Sequence, residues 1–243
     1  MRLPWPGRVK RAPRPKGPTG RGIGFLAIRA ALNYSLGVRC IFLIRHGETI
    51  GNAARVVQHP DAPLSPRGLA QAERLARRLA SEGVTAILSS DYARARSTAE
   101  SLQRQTGVPL VFEPLLQERN FGDLRGTPYS EIGFDMFGPD YAPPNGESWP
   151  VFHTRVDRAW ARVQQHLAAT TGGHLAVVAH GLVCRSLAAR HLTLPDGATV
   201  PERWENTSLT VIEPPAPWRV GLLNCIAHLD DLDVVALADS GPV

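Results

Sequence analysis

From residue 39 onward the chain repeats one pattern: a short apolar run, a polar break, then a stretch with helical spacing. "CIFLI" (40–44), "VTAILSS" (84–90), "LVF" (110–112) and "HLAVVAH" (174–180) are short, mostly apolar and bounded by turn or charged residues. That is the signature of strands buried on both faces. Between them, "LSPRGLAQAERLARRLASEG" predicts a helix with Ser65 at the cap and Pro66 at the first helical position. Leu69, Ala72, Leu75, Ala76 and Leu79 would form its apolar face, and Gly83 would stop it. "DYARARSTAESLQRQTG" predicts a second helix ending at Gly107; others are expected from about Val151 to Ala169 and through "GLVCRSLAARHL". "SLTVIEP" and "WRVGLLN" supply two late strands around a Pro-rich turn. Alternating strands and helices predict an α/β fold, a three-layer α/β/α sandwich around a mostly parallel sheet.

The 243 residues, 43% of them hydrophobic, suffice for one good-sized core. Residues 38–243 are read as one domain, and residues 1–37 as a basic leader too rich in Pro, Gly and Arg to pack. The leader has three readings: a basic tail for anionic surfaces, a targeting segment with a short amphipathic helix in "FLAIRAALNYSLG" (25–37), or a stretch preceding a true start near Val38. Residues 1–39 hold nine of the 27 basic side chains and no acidic one, so the remaining 18 face 22 acidic residues, a net −4. The positive total is therefore no sign of a nucleic-acid partner. No segment has the apolar length of a membrane span. Three widely spaced cysteines, Cys40, Cys184 and Cys225, form no CxxC pair and fit a reducing cytoplasm.

In open parallel sheets, ligands bind beyond the carboxyl ends of the strands. The polar residues directly after the strands are Arg45 and His46, then Ser90, Asp91 and Arg94, then Glu118, then His180 and Gly181. Two arginines, two histidines and a carboxylate thus converge on one sheet edge. Arginines clamp a dianionic phosphate through charge-assisted hydrogen bonds, and the Gly47 backbone is placed to offer N–H donors. A histidine is a competent nucleophile toward phosphorus, and a carboxyl can pass a proton to the departing oxygen. Singly, each residue has a plainer reading: His180 as a satisfied polar group, Arg94 as a solvated helix position, Glu118 as an ion-pair partner of Arg119 or Arg125. Residues 122–150 carry Gly, Pro and aromatics without periodicity and read as a long excursion of the kind that forms a lid. Its Phe134, Tyr141 and Trp149, with Phe152, either line a cavity or anchor the excursion.

The ordered blocks "RHGET" with Asn52, "LSPRG", "SSDYARARSTA", "ERNFGDLRG", "NGES" and "AHG" resemble the histidine phosphatase superfamily, also called the phosphoglycerate mutase-like family, over residues 38–213. The resemblance implies that His46 is a nucleophile forming a phosphohistidine. Arg45, Arg94 and His180 would complete the phosphate pocket, and Glu118 would be the general acid. Asn52 matches the pocket residue of the RHGxxxxN pattern, Gln58 lies near the substrate, and Gly47 and Gly181 flank the site.

The implied activity is hydrolysis of a small phosphorylated metabolite without metal or other cofactor. Neither the remaining histidines (His59, His153, His166, His174, His191 and His228) nor the cysteines show metal-ligand spacing. Cys40 and Arg45 imitate a Cys-x5-Arg phosphate loop, but only four residues separate them and these are buried-strand residues. Two alternatives stand beside hydrolysis: a phosphomutase, and a pseudo-enzyme that binds phosphorylated ligands without turnover. A mutase must retain an anionic intermediate, and the excursion sets Glu131, Asp135, Asp140 and Glu147 against Arg125.

Overall fold

The computed structural model describes residues 39–230 and residue 232; the leader and its expected helix lie outside the described residues. The chain runs β1 (Ile41–Arg45), α1 (Ile50–Ala54), α2 (Pro66–Leu79), β2 (Val84–Ser89), α3 (Ala93–Thr106) and β3 (Leu110–Phe112). It continues with α4 (Trp149–Ala169), β4 (His174–Ala179), α5 (Gly181–His191), β5 (Leu192–Thr193), β6 (Leu209–Glu213) and β7 (Trp218–Cys225). The seven strands form one sheet in the order β3-β2-β4-β1-β6-β7-β5.

β3, β2, β4 and β1 are mutually parallel, as helical crossovers require. β6 runs antiparallel to both β1 and β7, which makes the sheet mixed. The reason is local: four residues, Pro214 to Pro217, join β6 to β7, too few for a crossover.

Burial follows strand alternation. Ile41 and Leu43 of β1 and Leu175, Val177 and Ala179 of β4 pack under α4 and α5 with Phe152, Val156, Trp160, Val163, Val183 and Leu187. Phe42, Ile44, Ala176 and Val178 are equally buried and point to the opposite face, the side of α2 and α3. Helices thus cover both faces of the central strands.

The local signals explain the helix ends. Ser65 Oγ accepts the Gly68 N–H and Pro66 opens α2, while Gly107 closes α3 with φ of 70°. One expected core residue is misplaced: Leu69 is 47% exposed. The buried face of α2 instead passes through Gly68 and Gln71 before reaching Ala72, Leu75, Ala76 and Leu79. Gln71 is there because its amide oxygen accepts the Glu48 N–H at 2.9 Å.

The excursion holds two 3-10 turns, Gly122–Leu124 and Tyr129–Glu131. Phe121 and Met136 are buried against Val57, with Leu124, Tyr129, Ile132, Phe137 and Tyr141 around them. Backbone bonds from Val57 N to Thr127 O and from Gly126 N to Val57 O fasten it beside α1.

Candidate active site

β1 ends where Arg45 and His46 leave the sheet. The His46 main chain is gripped from two sides. Its N–H donates to Ala179 O at the end of β4 (3.0 Å), and its carbonyl accepts from Asn206 Nδ2 (3.0 Å) and Thr207 N (3.2 Å). The ring is 2% exposed, and Nδ1 lies 2.7 Å from Gly47 O. A carbonyl can only accept, so Nδ1 carries the proton and Nε2 keeps its lone pair. Burial, reinforced by the charges of Arg94 and Arg45, holds the His46 pKa well below the usual histidine value. At neutral pH His46 is therefore an uncharged imidazole whose Nε2 keeps a lone pair, as a nucleophile requires.

His180 caps the N-terminus of α5, its ring centroid 5.1 Å from that of His46. Its Nε2 shares a 2.8 Å hydrogen bond with Ser90 Oγ, and its Nδ1 is buried without a protein partner among the described residues. Burial, then Arg94, His46 and Arg45, keep its pKa low. His180 thus stands in this pocket as a neutral group, not as the imidazolium that would add charge.

Arg94, in the first turn of α3, is 3% exposed and donates through Nη1 to His59 O at 3.0 Å. Burial draws its pKa down to about 10, which leaves it charged at neutral pH. Arg45 is held by the Trp204 carbonyl through Nη1. The Nε of each arginine, like His180 Nδ1, is buried without a partner among the described residues. Buried, unsatisfied N–H groups are rare because each forfeits its hydration. Two of them, supplied by β1 and α3, with the unpartnered His180 Nδ1 at the β4–α5 junction, suit a multivalent anion.

Glu118 comes soon after the 3-10 turn Pro114–Leu116. Its Oε1 accepts from Arg119 N (3.0 Å) and Oε2 from Leu182 N (3.1 Å). Burial raises its pKa, against the pull of these two N–H groups and of Arg94 and Arg45. The carboxyl is thereby biased toward keeping a proton.

The remaining sequence candidates take quieter positions. The Gly47 N–H, expected as a donor to phosphate, is engaged by Thr98 Oγ1 at 3.0 Å; the N–H groups of Glu48 and Thr49 are likewise taken, by Gln71 and Asn52. Gly47 serves close packing, since a Cβ there would lie 2.6 Å from Gly68 O. Asn52 Oδ1 completes the capping box of α1 and accepts from Asn206 Nδ2 at 3.3 Å. Gln58 Oε1 accepts from Thr49 Oγ1 at 2.6 Å. Gly181 opens α5 beside Arg45, with a Cβ there 3.5 Å from Arg45 Nε.

Ser90 is visible in the sequence as a polar residue after β2 but without a role, whereas Asn206 and the Trp204 carbonyl are not signalled at all. Asn206 reaches His46 from 160 residues away, and no local pattern signals that. Trp149 is an anchor: its indole donates to Gly138 O at 2.8 Å and lies under the Arg119 guanidinium, 3.9 Å from Cζ to ring centroid. Phe152 is wholly buried and Phe134 is 52% exposed.

A match to the histidine phosphatase superfamily (branch 1) runs over residues 41–224. The chain belongs to this superfamily. A probable phosphoglycerate mutase GpmB of Yersinia pestis is 32% identical over 206 residues, covering 78% of this chain and 94% of that protein. Among solved structures, Bacillus stearothermophilus YhfR is 29% identical with a TM-score of 0.68, covering 79% of this chain and all of that one. A mycobacterial glucosyl-3-phosphoglycerate phosphatase in complex with VO3 is 26% identical with a TM-score of 0.66, covering 77% and 99%. These neighbours support a phosphatase-type enzyme. Among the described residues no helix is long and apolar enough to cross a membrane.

Proposed function

We propose that the protein hydrolyses a small phosphorylated metabolite through a phosphohistidine on His46. The observation that carries this reading is the free lone pair of His46 Nε2 together with the buried, unpartnered Nε–H donors of Arg45 and Arg94 and the unpartnered Nδ1 of His180. His46 Nε2 attacks phosphorus in line, forming the N–P bond as the ester P–O bond breaks. Arg45 and Arg94 neutralise the charge that spreads over the equatorial oxygens. Glu118 delivers its proton to the departing oxygen, and its carboxylate then takes a proton from the water that cleaves the N–P bond. No step calls on a metal. Three widely spaced cysteines with no CxxC pair are in keeping with a reducing, cytoplasmic location.

A phosphomutase is the second reading, favoured by the name of the Yersinia relative. The excursion argues for hydrolysis. Arg125 is its one basic residue, and a mutase must hold its anionic intermediate against water. The decisive assay is turnover of p-nitrophenyl phosphate in excess EDTA by the intact protein and by His46→Ala. The variant should lose at least ~10³-fold in kcat, with no acid-labile phosphoenzyme. Equal activity in both proteins would put the nucleophile elsewhere, and phosphoglycerate interconversion without phosphate release would establish the mutase.

A further inference from the structure

The mechanism leaves one half-buried ion pair without a role. Arg155, on α4, donates through Nε to Glu147 Oε1 (2.7 Å) and through Nη2 to Glu147 Oε2 (2.7 Å). Its Nη1 donates to Leu115 O (2.9 Å) and Gln117 O (2.8 Å), and Nη2 also reaches Glu118 O at 3.3 Å. A guanidinium has five N–H groups, and all five are matched. The two side chains are 17% and 15% exposed. Glu147 is held below the usual carboxylate range: its burial would raise it, but the hydrogen bonds from Arg155 and the Asn120 N–H outweigh that.

Three of the five acceptors are carbonyls of the segment that carries Glu118, and Glu147 holds the same segment from the other side through Asn120 N at 2.9 Å. That segment has no helix or strand of its own beyond the turn ending at Leu116. We propose that Arg155, oriented by Glu147, is a positioning residue that sets where the Glu118 carboxyl stands over the departing oxygen, without touching substrate. The proposal rests on the reading of Glu118 as proton donor. It requires arginine specifically, because lysine offers three donors and no planar fork, and so cannot hold a carboxylate and three carbonyls together.

The test compares a simple alkyl phosphate, whose leaving group needs the proton, with p-nitrophenyl phosphate, whose leaving group does not. Arg155→Gln should lower kcat/KM on the alkyl ester by about 10²-fold, the scale of a misplaced catalytic group, and on the aryl ester by less than about fivefold. Arg155→Lys should recover only part of the loss, Glu147→Gln should show the same substrate pattern more weakly, and these two milder variants carry the test should Arg155→Gln fail to fold. Added to Glu118→Gln, Arg155→Gln should cost little more on the alkyl ester, since both act on one proton transfer. Equal losses on the two esters, or losses that multiply with Glu118→Gln, would reduce Arg155 to a structural residue. Should Glu118→Gln itself show no dependence on leaving group, Glu118 is not the donor, and the reading it supports falls with the proposal.

Discussion

Burial pushes His46 and Glu118 in opposite directions on the pH scale, because desolvation penalises whichever form is charged. The histidine is driven below its usual value and the glutamate above its own. Each is thereby biased to its neutral form, which is the form the first step needs: a lone pair on His46 and a proton on Glu118. This fixes the sign of the pH dependence. As pH falls through the depressed His46 value the nucleophile is protonated and kcat/KM drops; as pH rises through the raised Glu118 value the donor is lost and it drops again. A bell is expected, with its lower limb below the usual histidine range and its upper limb above the usual carboxylate range. Measured on an alkyl phosphate, Glu118→Gln should remove the upper limb. Ionisation of the substrate is common to both proteins, so the difference between their profiles isolates Glu118. An upper limb unchanged in the variant would take the proton-donor role from it.

The site's geometry depends on how closely α2 lies on the turn after β1. A Cβ on Gly68 would fall 1.9 Å from Glu48 O, and this is backbone that no rotamer change can move aside. Ser65 ties the same two segments, its N–H donating to Glu48 O at 2.9 Å and its hydroxyl to Glu48 Oε1 at 3.1 Å. Gly68→Ala should therefore destabilise by on the order of 3 kcal/mol. For a domain of this size that is a fall in Tm of roughly 6–12 °C, with activity lost as His46 and Gly47 shift. Gly133→Ala, where a Cβ meets nothing within 4 Å, is the control in calorimetry, and equal falls in both variants would refute the packing argument. How much of this is legible in the sequence depends on range along the chain. The Ser65 cap, Pro66 and the Gly107 stop are readable because caps are local chemistry. The two-residue β5 is not, since it carries no period. Leu69 fits the core by hydrophobicity alone, whereas the buried face is set by contacts of Gly68 and Gln71 with Glu48, twenty or more residues away. The candidate residues are readable as the polar side chains directly after each strand. Their supports, Asn206, Arg155 and the Trp204 carbonyl, come from distant segments or from backbone that any residue would supply.

At the scale of the whole chain, basic charge and catalytic architecture are separated. Every candidate site residue lies between Arg45 and Gly181, and the described residues open at Arg39. That arginine has work of its own: its Nη1 donates to the carbonyls of Leu167, Ala168 and Thr170. These lie at the C-terminal end of α4, where carbonyls run short of intrahelical donors, although Leu167 O is also reached by the Thr170 N–H at 3.2 Å. Cutting the chain after residue 37 keeps this anchor and removes eight of the 27 basic residues, leaving 19 against 22 acidic, a change of sign from +5 to −3. The shortened protein should then keep its kcat/KM toward p-nitrophenyl phosphate within about twofold and its Tm within a few degrees, because every described core residue and every candidate catalytic group is retained. Its retention on an anionic matrix or on vesicles of anionic lipid at low salt should disappear, since that attraction is carried by the lost charges and screened within about 10 Å at 0.1 M salt. A large fall in kcat/KM at unchanged Tm would instead make residues 1–37 part of the site. Retention that survives the cut would show that the acidic body presents a cationic face of its own, and the exposed side of α2, with Arg67, Arg74 and Arg77, is where it would be sought.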